Sequence, residues 1–396
     1  MEAEALNRTE SILANLQKIL DKIPFSSNLQ QSINDIRSSI QALRPPRIMI
    51  IGRSRSGKSS LINAICGLKV AEVSDTRPET GKAEWNTYYH DGTDLVRILD
   101  TRGLQEAETP RQQDTAKTPF ESIKNAIKEE YPDIILFVCK ATEIHSASQE
   151  DLNICESILQ EIKKIHGDYQ LSVIGVLTQC DNVAPPYAKL SDNDEEKQKN
   201  IEDHCSSFAV YLKSKENIRP YYKDVIPTAA YAKYEEGAEG LILPDKDYRW
   251  NIDKLIETMM KYTPKERQGS FARMAQIKKT QLTVADTIKS ACVIISGVVS
   301  INPIPGTSLP VIGIIQTFMV MYIGWLSGRS FSLETLNDFL VTGAVAAGAN
   351  AGTIGIADVA LKFFPGVGNV LSVAAGATAT QGLGDAAIAY FLKQDQ

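Results

Sequence analysis

The feature that most constrains the fold is an eight-residue loop, GRSRSGKS, at residues 52–59. The apolar run at residues 48–51 precedes it, and residues 60–65 continue with a helical pattern. A GxxxxGKS loop between a strand and a helix curls so that successive N–H groups and the helix N-terminus face a phosphate group. Because the loop needs both neighbours, it predicts an α/β domain that binds a phosphate-bearing ligand.

Short apolar runs separated by helix-like stretches continue after the loop, which is typical of a mostly parallel sheet covered by helices. The predicted strands are residues 48–51, 84–89, 95–100, 134–139, 173–178 and 225–228. Residues 152–165 show the apolar period of a crossover helix, and residues 251–262 form the expected last helix. We therefore predict one α/β domain over residues 46–263.

Helical segments are expected on both sides of this domain. Residues 1–45 carry two amphipathic helical patterns and end at Pro45-Pro46, because prolines at both positions cannot continue a helix. Beyond residue 264, three stretches rich in Gly, Ala, Val and Ile carry no charge, at residues 290–328, 339–357 and 363–384. We predict an N-terminal helical hairpin over residues 1–45 and a hydrophobic all-α domain over residues 264–396.

The glycine-rich loop supplies the first candidate ligands for a nucleotide. Lys58 would place its ammonium between the β- and γ-phosphates, and the Ser59 hydroxyl would coordinate Mg²⁺. The loop residues expected to bind the phosphates are Gly52, Ser56, Gly57, Lys58, Ser59 and Ser60.

A second motif, DTRG at residues 100–103, ends the predicted strand 95–100. Asp100 would hold Mg²⁺ through a water molecule, and the Gly103 N–H would contact the γ-phosphate and let the following loop change conformation. A threonine between the two motifs is expected to reach Mg²⁺ and the γ-phosphate, and both Thr76 and Thr80 qualify. We prefer Thr80, because Pro-x-Thr-Gly places it at the exposed end of a flexible loop.

Base recognition is expected after the strand 173–178, where TQCD at residues 178–181 stands in the position of an NKxD motif. Asp181 can accept hydrogen bonds from guanine N1–H and N2–H₂, which adenine does not offer in that arrangement. Thr178 replaces the usual Asn, and Gln179 replaces the usual Lys, so the affinity for the base is left open. Thr228 and Ala229 follow the last strand in a loop similar to the SAK-type loop that contacts guanine O6. We predict GTP and GDP as ligands, with Mg²⁺.

Residues 47–263 resemble the Era-like branch of the translation-factor-related GTPases. The resemblance is carried by GRSRSGKSSLINAICG, VSDTRPETG and DTRGL, while the threonine at the start of the guanine motif is similar to the dynamin-like relatives. The segments INPIPGTSLPVIGIIQ and KFFPGVGNVLSVAAGATATQGLGDAAIAYF resemble a hydrophobic domain of unknown function that follows many bacterial Era-like GTPases. The resemblance implies a P-loop G domain that hydrolyses GTP to GDP as a switch or mechanoenzyme.

The expected hydrolysis is slow without dimerisation or a partner. Ras-like enzymes place a water-orienting Gln directly after DxxG, whereas this chain has Leu104 there and Gln105 one place later. Arg55 stands where guanylate-binding proteins, which are large dynamin-like GTPases, carry an arginine finger in cis. Two interpretations stay open: Arg55 becomes ordered over the phosphates when two G domains form a homodimer, or it is a solvated surface side chain.

The hydrophobic C-terminal part has two interpretations. In the favoured one, a hairpin near residues 303–306 inserts into a bilayer, and the basic run 265–289 binds anionic lipid, so that residues 265–396 hold a cytoplasmic protein at the membrane. In the other, the segment is a soluble bundle packed on residues 1–45.

The charge and cysteine content exclude several classes of protein. A formal net charge of −6 offers no basic groove, so we do not expect nucleic acid as a partner. The six cysteines form no CxxC pair, which argues against a zinc site and for a reducing compartment. Two alternative functions remain: a ribosome- or RNA-associated assembly GTPase, as Era-like relatives often are, and a weakly hydrolysing nucleotide-binding scaffold.

Overall fold

The computed structural model describes residues 2–23, 27–53, 55–70, 83, 85–90, 93–100, 119–146, 149–167, 171–235, 240–276, 278–301, 311–340 and 376–393. The chain divides into two compact units. An α/β unit comprises Pro45–Pro264, and a helical unit comprises Met1–Arg44 together with Lys265–Gln396.

The regular elements follow one another along the chain. The strands are β1 (Arg47–Ile51), β2 (Trp85–His90), β3 (Thr93–Asp100), β4 (Ile134–Lys140), β5 (Val173–Thr178), β6 (Tyr222–Pro227), β7 (Ala232–Tyr234) and β8 (Ile242–Asp247). The helices are α1 (Glu2–Lys22), α2 (Ser27–Gln41), α3 (Lys58–Cys66), α4 (Pro119–Glu129), α5 (Gln149–His166), α6 (Glu195–Lys213), α7 (Ile252–Tyr262), α8 (Lys265–Ala275), α9 (Lys278–Ile301), α10 (Val311–Leu326), α11 (Leu333–Asp338) and α12 (Ala377–Leu392).

The α/β unit is built on a six-stranded sheet with the order β2-β3-β1-β4-β5-β6. Strands β3, β1, β4, β5 and β6 run parallel, and β2 joins β3 as an antiparallel edge strand. The predicted mostly parallel α/β fold is confirmed. Its central strands are continuous apolar runs, since a parallel sheet is covered by helices on both faces.

One face of the sheet packs on α5, whose residues Leu152, Cys155, Ile158, Leu159 and Ile162 are buried at helical spacing. Gly175 in the middle of β5 leaves room for α6, because a Cβ atom there would lie 2.7 Å from Leu212 and 3.0 Å from Phe208. Because β1, β3, β4 and β5 run parallel, their carboxyl ends meet at one edge of the sheet. In open α/β sheets this edge is where ligands bind.

The helical unit joins the two ends of the chain. Helix α2 packs against α8 and α9, and α9 also packs against α10 and α12. All sixteen residues of α10 are buried in this unit. Gly269 of α8 allows a close approach to α10, since a Cβ atom there would clash with the hydroxyl of Tyr322.

Among the described helices, one segment, residues 278–300 of α9, is long and apolar enough to cross a membrane. Of its apolar window, 39% is buried within the unit, and core helices of soluble proteins pass the same test of length and composition. Helix α10 is apolar but shorter.

Candidate nucleotide site

The loop between β1 and α3 has a backbone that only particular residues tolerate. Gly57 stands at the helix N-cap with φ 85° and ψ 19°, a left-handed conformation that glycine adopts without a steric penalty. A Cβ atom on Gly52 would collide with the carbonyl oxygen of Val138 on the neighbouring strand β4. These two glycines let the loop lie close to the sheet and turn directly into the helix.

Lys58, the first residue of α3, points its side chain back into the loop. Its ammonium donates to the carbonyl oxygens of Gly52 at 2.7 Å and Arg53 at 2.6 Å, and the side chain is buried. Phosphate oxygens could take the place of these carbonyl oxygens as acceptors, because the ammonium already lies in the loop. Ser59 and Ser60 follow in the first helical turn and are half-buried.

Ser56 contributes a buried hydroxyl for which the described part of the chain provides no hydrogen-bond partner. A buried polar group without a partner costs about 1–3 kcal/mol, so its presence in a loop of this kind favours an anionic ligand that would accept from it. This orphaned donor, the Lys58 ammonium and the N-terminus of α3 together fit a phosphate group.

The end of β5 is tied to the same loop. The Thr178 hydroxyl donates to the Ser56 carbonyl at 2.6 Å and lies 3.3 Å from the Cys139 carbonyl. Gln179 has φ 56°, and its side-chain amide lies 3.4 Å from the carbonyl of Arg55. The two residues that depart from the NKxD pattern thus both bridge the base-side strand to the phosphate loop.

Asp181 is exposed on a short 3-10 helix, Cys180–Asn182, at the same sheet edge. Beside it, burial raises the pKa of the Cys180 thiol to about 12, so the thiol stays neutral. Asp181 is the exposed acidic residue of this turn, so a base that offers N1–H and N2–H₂ can reach its carboxylate.

The loop after β6 is joined to the loop after β5. Buried Thr228 donates from its N–H to the Leu177 carbonyl at 2.7 Å and from its hydroxyl to the same oxygen at 3.0 Å. Its own carbonyl accepts from the Cys180 N–H at 3.2 Å. The Ala229 N–H already donates to the Trp250 carbonyl at 3.2 Å, so a contact with guanine O6 would fall to the next amide, that of Ala230. The binding roles of Thr228 and Ala229 stay predictions.

The predicted metal and γ-phosphate residues are described only in part. Asp100 closes β3 opposite Ile50 of β1, next to the phosphate loop, although the structure describes only its backbone. Thr76, Thr80, Gly103, Leu104 and Gln105 lie outside the described residues. Ser59 lies in the first turn of α3, and Asp100 ends the strand next to β1. Their hydroxyl and carboxylate are oxygen ligands of the kind that Mg²⁺ prefers.

One buried side chain next to this site escaped the sequence reasoning. Lys197 of α6 lies beneath the turn that carries Asp181 and is 1% exposed. In the sequence this lysine directly follows the acidic run at residues 192–196, and nothing in that pattern distinguishes it from a solvated residue. The signal comes only from the tertiary structure.

Comparison with known proteins agrees with this geometry. A family model described as 50S ribosome-binding GTPase matches residues 47–177, from β1 to the end of β5. The chain carries a P-loop GTPase domain. GTPase Era of Ureaplasma urealyticum serovar 10 is 24% identical over 247 residues, which are 62% of this chain and 65% of that protein. The predicted likeness of the GTPase domain to Era-like proteins is confirmed.

Two further proteins are similar to parts of this GTPase. The tRNA modification GTPase MnmE of Campylobacter jejuni subsp. doylei is 32% identical over 151 residues, which are 38% of this chain and 32% of that protein. The structure of LeoA, described as a bacterial dynamin GTPase from ETEC, aligns with 97% of this chain and 76% of its own at 13% identity and a TM-score of 0.37. The chain thus spans less than two thirds of the length of the curated relatives Era and MnmE, 65% and 32% respectively.

Proposed function

We propose that this protein binds GTP and GDP with Mg²⁺ and hydrolyses GTP to GDP and phosphate. The observation that carries the proposal is the hydrogen bond of 2.6 Å from Thr178 to the Ser56 carbonyl, which joins the base-reading strand to the phosphate loop. Lys58 would hold the β- and γ-phosphates, and Asp181 would read the base. Ser59, Asp100 and Thr80 would hold Mg²⁺, whose charge would stabilise the transferring phosphoryl group.

The test is phosphate release from GTP and from ATP by the full chain, with and without Mg²⁺. We expect turnover that needs Mg²⁺, prefers GTP and is lost in Lys58→Ala. The matched control is Lys69→Ala, because Lys69 is exposed beyond the end of α3. Equal binding and turnover of the two nucleotides, or full activity of Lys58→Ala, would contradict the proposal.

The intrinsic rate is expected to be low, because Leu104 cannot orient a water molecule. Arg55 is exposed on the outer side of the phosphate loop, with φ 61°. An exposed arginine in this loop is accessible to a second G domain, which is compatible with activation when two G domains form a homodimer. An arginine finger is worth roughly 10³–10⁵ in rate.

Specific activity at increasing protein concentration tests this activation. We expect the wild-type activity per molecule to rise with concentration, and Arg55→Ala to stay at the low basal level. Arg55→Lys is the matched control, since it keeps the charge but not the planar fork. If Arg55→Ala equals the wild type at every concentration, the arginine is a surface residue.

We propose that the helical unit is the part of this switch that brings the protein to a membrane. The uncharged sequence of residues 290–328, 339–357 and 363–384 and the apolar length of α9 support this hypothesis. The complete burial of α10 favours the alternative, a packed bundle in the cytoplasm. Co-sedimentation of the full chain with anionic liposomes, with GTP and with GDP, separates the two, and a chain that stays in the supernatant with both nucleotides is the packed bundle.

An RNA-linked role is kept as the second candidate because the matching family model is described as ribosome-binding and MnmE as a tRNA modification GTPase. The net charge of −6 opposes it. Stimulation of GTP turnover by ribosomes or RNA but not by liposomes would favour this candidate. Tight GDP binding without turnover under any condition would identify a nucleotide-binding scaffold.

A further inference from the structure

A buried lysine supports the turn that presents Asp181. Lys197 is 1% exposed, and its ammonium donates to three main-chain carbonyls, those of Asp181 at 2.9 Å, Val183 at 2.7 Å and Pro185 at 3.3 Å. An ammonium has three N–H donors, so all three are used. The acceptors belong to alternate residues of one short segment, which wraps around the ammonium.

The position of Lys197 in α6 fixes the ammonium relative to the sheet. Asp194 is the N-cap of the helix and accepts from the Lys197 N–H at 2.9 Å, so the lysine lies in the first turn. Further along, Phe208 and Leu212 of the same helix are buried in the core of the α/β unit. The ammonium therefore belongs to a rigid element rather than to the segment that it holds.

A second side chain of α6 acts on the same segment. The Asn200 amide donates to the Ala184 carbonyl at 3.0 Å, between the carbonyls that Lys197 binds. On the other side, the Cys180 N–H donates to the Thr228 carbonyl. The backbone of residues 180–185 is thus fixed from both ends, and the Asp181 carboxylate projects from it into solvent.

A fully buried lysine is rare, because removing an ammonium from water is costly unless it is paired and hydrogen-bonded. Here the partners are carbonyl dipoles of one segment rather than a carboxylate. A methionine of similar volume would fill the space without desolvating a charge. The ammonium does one thing that an apolar side chain cannot do: it fixes the direction of three carbonyls, and with them the conformation of the turn.

We propose that Lys197 is a positioning residue for guanine recognition: its ammonium sets the orientation of the Asp181 carboxylate without touching the nucleotide. This inference rests on the proposed function, since it needs Asp181 to read the base. A lysine that only stabilises the fold would change the unfolding temperature and leave the choice of base unchanged.

The experiment compares Lys197→Met with the wild type and with Lys199→Met, which removes an exposed lysine two residues away on the same helix. Dissociation constants are measured for GDP, ADP and inosine diphosphate, whose base lacks the 2-amino group that Asp181 would bind. We expect the preference for GDP over inosine diphosphate to fall about tenfold in Lys197→Met, as for the loss of one well-oriented charged hydrogen bond. Lys199→Met should keep the wild-type ratio.

A double mutant separates positioning from general damage. In an Asp181→Ala background, Lys197→Met should not reduce the GDP to inosine diphosphate ratio further, because the group that it orients is gone. A folded Lys197→Met protein with the wild-type ratio would overturn the inference. So would a Lys197→Met change that lowers the ratio as much in the Asp181→Ala background as it does in the wild type.

Two other outcomes are also decisive. If Lys197→Met does not fold, Asn200→Ala takes its place: it frees the Ala184 carbonyl, and we expect a smaller loss of the ratio, about threefold. An unchanged ratio in Asn200→Ala would then overturn the inference. Equal binding of GDP and ADP by the wild-type protein would contradict the proposed function itself. A preference for GDP in the wild type, together with unaltered ratios in the variants, would contradict only the role of Lys197.

Discussion

The bond from Thr178 to the phosphate loop can be removed without changing the volume of the side chain. Thr178→Val replaces a hydroxyl by a methyl group at a position that is 2% exposed. The change deletes the donor that lies 2.6 Å from the Ser56 carbonyl and 3.3 Å from the Cys139 carbonyl. Valine keeps the β-branched shape that suits a strand end, so no cavity is formed.

The magnitude follows from the buried position of the bond. Losing a buried hydrogen bond and leaving its acceptor unpaired costs about 1–3 kcal/mol. In a unit of this size each kcal/mol corresponds to about 2–4 °C in the unfolding temperature. Because this bond ties the phosphate loop to β5, part of the same free energy is expected in nucleotide affinity, up to about tenfold for each 1.4 kcal/mol.

The assay is thermal unfolding of the nucleotide-free protein together with the dissociation constant for a fluorescent GDP. Thr178→Ser is the matched control, since it restores the hydroxyl and should recover most of the GDP affinity. We expect Thr178→Val to lower both quantities. If Thr178→Val unfolds and binds GDP as the wild type does, the strand and the loop are not coupled through this bond.

Two further predictions concern stability. Gly269→Ala should destabilise the helical unit by about 1–3 kcal/mol, because the new methyl group meets the Tyr322 hydroxyl. Gly382→Ala in α12 should stabilise the unit by up to about 1 kcal/mol, because a Cβ atom there has nothing within 4 Å and alanine favours the helix. The denaturant midpoints of both variants check this pair. A hydrogen bond from Arg249 holds the pKa of Asp247 below its usual value of 3.8, against the opposing effect of burial. The contribution of this bond to the free energy of unfolding is therefore present above pH 4 and is lost as the pH falls further. Asp247→Asn should therefore lower the free energy of unfolding by less than about 1 kcal/mol at pH 7 and by less again as the pH falls below 4, and an equal loss at all pH values would contradict the pairing.

Local patterns allowed much of the α/β unit to be predicted. Strand β1, the loop and helix α3 are specified within about twenty residues, because the glycines and the apolar run act on their own neighbours. The same is true of β5 and the turn with Asp181, where a buried strand simply ends in polar residues. Each of these sites lies at a strand end, so a parallel sheet brings them together without further information.

The parts that escaped prediction depend on contacts between distant residues. The hairpin of β7 and β8 consists of polar strands with weak alternation, and the bond from Ala229 to Trp250 joins residues that no local pattern connects. Lys197 is the clearest case, because a lysine next to an acidic run is ordinarily solvated. Its burial results from the wrapping of residues 181–185 around it, which only the folded chain reveals.

The hydrogen bonds of the phosphate loop explain how it is prepared for an anion. Lys58 binds the carbonyls of residues 52 and 53, Gln179 reaches that of residue 55, and Thr178 binds that of residue 56. These bonds fix the carbonyl groups of the loop, and within the loop the Ser56 N–H donates to the Arg53 carbonyl at 3.3 Å. The bond from Thr178 can persist when a phosphate group enters, whereas the Lys58 ammonium must exchange its carbonyl acceptors for phosphate oxygens. Loss of Thr178 should therefore weaken the loop with and without a ligand, whereas loss of Lys58 should remove two bonds of the empty loop and, in addition, the contact with the phosphate group of a bound nucleotide.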